Sequence, residues 1–171
     1  SVVFDFRADG GLVAPLRQEN VFACAATRAI DDVRDIAVLE VDRVPAGRLP
    51  PELASGQPAT GDTLDVLGHP GGIPMKEAPD GVVRETSIRD AFVLYVDAFA
   101  GNSGSPVFDG SGRVVGVLNR GEPDYELIDG CAASRRLANG EGAGELAIRI
   151  DRALAVGCDD DPDGHACSLL P

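Results

Sequence analysis

A chain of 171 residues with 44% hydrophobic content is long enough to bury a core, as one domain or as two small barrels. Its formal charge of −13, from 28 acidic against 15 basic residues, argues against nucleic-acid and anionic-membrane partners, both of which would repel it. No uncharged apolar run reaches the ~18 residues of a membrane-spanning helix, and the opening Ser-Val-Val-Phe-Asp-Phe does not read as a signal peptide. An export signal is therefore expected to have been removed or to lie outside these residues.

Val2–Phe6 places apolar residues at 2, 4 and 6, the alternation of a half-buried strand. Val21–Thr27 and Ile36–Val41 read as two more. The stretch from Arg43 to Asp62 is rich in Pro and Gly and lacks periodicity, so residues 46–62 are expected to link two halves, 1–45 and 63–150. Beyond it, Thr63–Leu67, Val82–Ile88, Val93–Val96, Pro106–Phe108, Val114–Leu118 and Leu146–Ile150 are short strand-like runs. Gly and Asp turns separate them, and Asp109-Gly110-Ser111-Gly112 is a strong hairpin signal. Strands this short and evenly spaced predict an antiparallel sandwich or barrel. Helix is expected near Ala132–Leu137 and over Asp151–Ala155 with Asp151 as its cap, followed by a Cys-closed acidic tail within 151–171. Of four cysteines, Cys158 and Cys167 flank a short polar loop and are expected to pair, leaving Cys24 with Cys131. An even count fits an oxidising, secreted or periplasmic location.

The stretch with most chemical content is Gly101-Asn102-Ser103-Gly104-Ser105-Pro106-Val107-Phe108. Glycines here let a turn expose the Ser103 hydroxyl and neighbouring N–H groups, the donors an acyl-transfer intermediate needs. Asp35-Ile36-Ala37-Val38-Leu39 carries an acid into an apolar strand, where the carboxylate needs a hydrogen-bonding partner. These two runs resemble the nucleophile and aspartate segments of trypsin-like, chymotrypsin-fold serine proteases, with Gly-Asn-Ser-Gly-Ser-Pro pointing to the bacterial glutamyl-endopeptidase-like branch. The resemblance implies an all-β double Greek-key barrel whose first barrel is incomplete in this chain, with a short C-terminal helix. It implies a serine endopeptidase acting on protein or peptide substrates, with no cofactor and no metal. Ser103 would be the nucleophile and Asp35 the orienting acid, with the N–H groups of Gly101 and Ser103 forming the oxyanion hole. Asp97, six positions before the serine, would sit at the base of the specificity pocket, and Asn119, Arg120 and Gly121 would end the strand that pairs with substrate. Asn102 replaces the aspartate of the trypsin branch, so activation by pairing that acid with a freed N-terminal amine is not expected.

The base is the gap in this pattern. No histidine precedes Asp35, and the chain has two in all. His69, in Gly68-His69-Pro70-Gly71, resembles a turn segment of the second barrel. The order Asp35, His69, Ser103 is that of subtilisins, but the local sequences of that family are missing. His165 follows the serine as in α/β-hydrolases, yet position 105 is Ser and a hairpin follows, against the Gly-x-Ser-x-Gly elbow. The family's catalytic histidine is thus expected upstream of Ser1, on a protease fragment that completes the first barrel. The alternative is a non-catalytic protease-like binding module. The run Asp159, Asp161, Asp163, Gly164 opens like a calcium loop but meets Leu170 where such a loop needs a bidentate Glu, so a solvated tail is expected.

Overall fold

The computed structural model describes residues 1–135, 137, 141–160, 163 and 165–169, with backbone alone at 160, 165 and 166. Asp161, Gly164 and Leu170 of the acidic tail lie outside the described residues. Six strands close an antiparallel barrel: β7 (Thr63–Gly68), β8 (Lys76–Glu85), β9 (Ala91–Tyr95), β10 (Pro106–Asp109), β11 (Val114–Arg120) and β14 (Glu145–Arg149). Around the barrel they run β10, β11, β14, β9, β8, β7, and then back to β10. The alternation read from the sequence builds its interior. Leu64, Val66, Val83, Phe92, Leu94, Val107, Val115, Leu118 and Ala147 form one cluster, none more than 3% exposed. Each large side chain so buried is worth about 1.5–3 kcal/mol.

The first half is different. It consists of paired fragments: β1 (Val2–Val3) with β4 (Val21–Phe22), β2 (Ala8–Asp9) with β3 (Leu12–Val13), and β5 (Cys24–Asp31) with β6 (Ile36–Val41). Phe22 and Ala29 are its fully buried apolar residues among those described, while Leu12, Ile30, Val33, Leu39 and Val44 are at least half exposed. Among the described residues these paired strands close no barrel of their own. Residues 46–62 contain no strand of their own, but Ala54 is buried, and its N–H donates to the Val114 carbonyl at 2.9 Å.

Helix α1 (Ile150–Asp160) joins the halves by packing on β5, β6, β11 and β14. Its apolar side follows the helical period through Ile150, Ala153 and Val156, all buried. Ala153 clusters with Ala91 and Ile148, and Ile36 packs against that cluster beside Val117 and Leu146. The residue following Asp35 is thereby fixed to the barrel. A second short helix, α2 (His165–Ser168), follows.

Several expectations need correction. Residues Cys131–Ser134 form β13, paired with β12 (Tyr125–Ile128), where helix was expected over Ala132–Leu137. The sequence there, Cys-Ala-Ala-Ser, has no strong helix signal once the Asp129-Gly130 turn closes a hairpin; both turn residues have positive φ, 51° and 79°. The strand expected over Val82–Ile88 runs Lys76–Glu85, and Asp80 at φ 60° accommodates a bulge within it. In the first strand, Asp5 at φ 59° keeps the ladder to Val2–Val3. The C-terminal helix is longer than expected and starts at Ile150. Asp151 lies inside its first turn and pairs with Arg149 at 2.8 Å. Cys158 and Cys167 form the expected disulfide, whereas Cys24 and Cys131 are free, exposed thiols.

Candidate active site

Ser103 lies at the exposed tip of a double turn between β9 and β10. The Asn102 N–H donates to the Phe99 carbonyl (3.1 Å), and the Ser105 N–H donates to the Asn102 carbonyl (2.9 Å). Two further bonds dock the turn on β11: Gly104 N–H to the Leu118 carbonyl (2.7 Å) and Leu118 N–H to the Ser105 carbonyl (2.8 Å). Gly101 and Gly104, at φ 99° and 88°, occupy backbone regions that side chains disfavour. At Gly101 space is equally restrictive, since an added Cβ would lie 2.6 Å from the Gly71 nitrogen. The Gly71 N–H donates to the Ala100 carbonyl at 2.7 Å, so the His69–Gly72 loop braces the turn from one side. The N–H groups of Gly101 and Ser103, on either side of the engaged Asn102 amide, have no protein acceptor among the described residues.

Asp35 ends the turn before β6, at φ 54°. Of the acids at 31, 32 and 35, Asp31 takes the structural task. Its carboxylate accepts the Val33 and Arg34 N–H groups at 2.9 Å each and pairs with the Arg34 guanidinium. The Arg34 N–H bond, followed by the guanidinium, holds the Asp31 carboxyl below its ordinary range. Arg34 also reaches Asp90 at 3.2 Å, tying the turn to the barrel. Asp35 is left exposed at the turn end, and its contact is with the buried Asn119. The Asn119 amide lies 3.3 Å from the Arg34 carbonyl and 3.4 Å from Asp35 Oδ2. Because Asn119 directly follows Leu118, the segments carrying Asp35 and Ser103 attach to adjacent residues of one strand.

The pocket residues are only partly assembled. Asp97 is exposed and lines a cavity of about 680 Å³ together with Phe99, Glu122, Asp124, Arg135 and Glu145. Asn119, Arg120 and Gly121 do not line it. Asn119 turns toward Asp35, and Gly121 abuts the Glu145 carboxylate, which a Cβ at 121 would overlap. Burial raises the Glu145 carboxyl to about 7, the charges of Asp124 and Glu122 adding to the effect and a hydrogen bond from the Glu122 amide opposing it. Asp124 reaches the turn itself, accepting the Ala100 N–H at 2.6 Å. Sequence reading missed Glu122, Asp124 and Glu145. The signal present was an acidic pair in the Gly121-Glu-Pro-Asp124 turn and an acid at the head of the last strand.

His69 serves its own loop. Its Nδ1 lies 3.1 Å from the Ile73 carbonyl, and its ring stacks on Phe6 with centroids 5.8 Å apart. His165 is in α2 and its side chain lies outside the described residues. Among the described residues, no group of three or more His, Cys, Asp or Glu could hold a metal ion, and no helix is long and apolar enough to cross a membrane.

Comparison with known proteins bears on this arrangement. The chain is 31% identical over 147 residues to the serine proteases MT3772 and Rv3671c of two Mycobacterium tuberculosis strains, a match covering 78% of this chain and 35% of each relative. It thus spans about a third of the length of the curated relatives it matches. Crystal structures of Rv3671c share the fold: the active form at TM-score 0.60 (20% identity, 90% of this chain and 62% of that one), and an inactive form at 0.57 (21% identity, 82% and 67%). The architecture is accordingly chymotrypsin-like. Residues 8–117, well over half of the chain, match the model of the trypsin-like peptidase domain, and the chain belongs to that family.

Proposed function

We propose that this chain is the serine- and aspartate-bearing part of a serine endopeptidase whose general base is a histidine outside these 171 residues. The observation that carries the reading is the Ser103 turn, hinged on two positive-φ glycines, with free amides on both sides of Asn102, docked next to the residue that holds Asp35. Ser103 Oγ attacks the scissile carbonyl while the histidine takes its proton. Asp35 orients the imidazole, and the Gly101 and Ser103 amides receive the developing oxyanion. The proton passes to the leaving amine, and water then releases the acyl group. Losing one such oxyanion donor costs about 3–4 kcal/mol of transition-state stabilisation.

Asp97 contributes to a specificity cavity that, with Glu145 beside it, suits Arg or Lys; Asn119, Arg120 and Gly121 complete the substrate-facing strand. Equal cleavage after neutral residues would remove the basic preference. Membership of the glutamyl-endopeptidase-like branch rests on Asn102 and Ser105 in the nucleophile motif. The Cys158–Cys167 disulfide favours a secreted or periplasmic setting. A protease segment upstream would complete the first barrel over the exposed Ile30 and Leu39 of β5 and β6.

A second reading, a non-catalytic protease-like module, draws support from His69 being engaged in its own loop. A fluorophosphonate probe separates the two. The full-length protein should be labelled at Ser103, with labelling lost in Ser103→Ala. A folded full-length protein that stays unlabelled is the module.

A further inference from the structure

Positive charge is scarce in this molecule, yet four arginines line one cavity of about 640 Å³. Arg7, Arg17, Arg43 and Arg48 face it, against the carboxylates of Asp5 and Glu19. Two of the arginines are held rigidly. Arg43 lies 3.9 Å over the buried Phe22 ring, pairs with Asp42 at 3.0 Å and donates to the carbonyls of Glu19 (3.1 Å) and Val21 (2.8 Å). Arg48 lies 5.0 Å over the ring of Phe4, pairs with Asp5 and donates to Asn20 at 3.0 Å. Phe4 and Phe22 themselves meet edge to face at 5.0 Å, so the floor beneath both guanidinium groups is fixed. Arg17 is 70% exposed and has only a loose 3.5 Å contact with Glu19. The exposed Arg7 guanidinium has no ion-pair or hydrogen-bond partner among the described residues.

The cavity is also connected to the candidate active site. Arg7 follows Phe6, whose ring stacks on His69 and whose carbonyl accepts the Met75 N–H at 2.9 Å. The His69–Gly72 loop in turn holds Ala100 and closes on Gly101.

We propose that the arginine-lined cavity binds an acidic peptide segment, an exosite for Asp- and Glu-rich sequence in a protein that also engages the Ser103 turn; this last relation rests on the protease reading. Guanidinium forks match carboxylates two bonds at a time, and Arg7 and Arg17 are the two whose forks are open to a ligand, while Arg43 and Arg48, paired with Asp42 and Asp5, fix the floor beside them. The net charge of −13 disfavours a long polyanion such as a nucleic acid, whereas a short run of carboxylates can be held locally.

The test measures binding apart from catalysis. Fluorescein-labelled octaglutamate is titrated with the purified full-length protein at low salt, with octaglutamine and an oligonucleotide of equal length in parallel. Octaglutamate should bind, weaken at least about tenfold as salt rises to ~0.5 M, and weaken by a similar factor in the double variant Arg7→Glu/Arg17→Glu. Both side chains are exposed, so folding is retained, as circular dichroism would verify. The control Arg28→Ala, at an exposed pair with Glu40, should bind like the parent. Equal binding of octaglutamine, tighter binding of the oligonucleotide, or an unchanged affinity in the double variant overturns the exosite. A full-length protein that binds octaglutamate yet resists fluorophosphonate retains the exosite and loses only the protease reading.

Discussion

Glu145→Gln should raise the stability of this chain above neutral pH and leave it unchanged in acid. Glu145 is half-buried against Gly121, and its carboxyl titrates near 7 where an unfolded chain would titrate at the ordinary 4.5. The difference corresponds to about 3.4 kcal/mol at ~1.36 kcal/mol per pH unit. Water still reaches part of the carboxyl and screens it, so about 1–2 kcal/mol is the expected effect. The sign follows from proton counting. Below pH 4.5 folded and unfolded chains both keep the proton, and the residue has no pH-dependent effect. Between 4.5 and about 7 the unfolded chain has released it and the folded chain has not, so stability falls as pH rises. Glutamine keeps the shape and an acceptor for the Glu122 amide but never charges. Thermal unfolding of parent and variant, compared at about pH 4 and about pH 8, should give matching midpoints in acid and a variant about 3–6 °C more stable in base. Taking differences at each pH cancels the other carboxylates. A variant shifted equally at both pH values would refute the burial argument and point to a packing change.

Three other outcomes follow from the geometry. Gly101→Ala forces a Cβ to 2.6 Å from the Gly71 nitrogen at φ 99°, and should lower stability by about 2–4 kcal/mol in denaturant titrations; an alanine variant as stable as the parent would show that the turn is not braced by the loop. Asn119→Ala removes the amide shared by the Arg34 carbonyl and Asp35, and should cost about 1–2 kcal/mol with faster amide exchange at Ile36; unchanged exchange would mean that Asp35 is positioned by the Asp31 and Arg34 contacts alone. Iodoacetamide should modify Cys24 and Cys131 in the native chain, and Cys158 and Cys167 only after reduction, whereas protection of the first two would restore their pairing.

The barrel half was legible because its code is local. Alternating apolar residues at 64 and 66, 83, 92 and 94, and 115 all face one interior, and Asp109–Gly112 supplies a turn whose backbone bonds close on Asp109 itself. The Ser103 turn was legible for the same reason, since glycines at 101 and 104 are required by φ at those two positions. Strand ends were less so, because positive φ at Asp5 and Asp80 breaks or bulges a ladder that alternation alone would continue. Pairing between distant segments was not local at all. Cys24 and Cys131 share parity of count with the true disulfide, but a count carries no distance.

What the residues settled unaided was the chemistry available: an alcohol in a glycine-hinged turn, an acid heading an apolar strand, and no histidine ahead of it. Only the folded chain shows what engages each of the neighbouring acids Asp31 and Asp35, because their partners come from the turn backbone and from a distant strand. Arg34 and the backbone amides at 33 and 34 occupy Asp31, and Asn119, brought across from β11, reaches Asp35. The acidic cavity at Glu145 and the arginine cavity at Arg7 were likewise decided by folding. Each gathers charges from segments far apart in the chain, and the burial that shifts a carboxyl or orders a guanidinium exists only once those segments have packed.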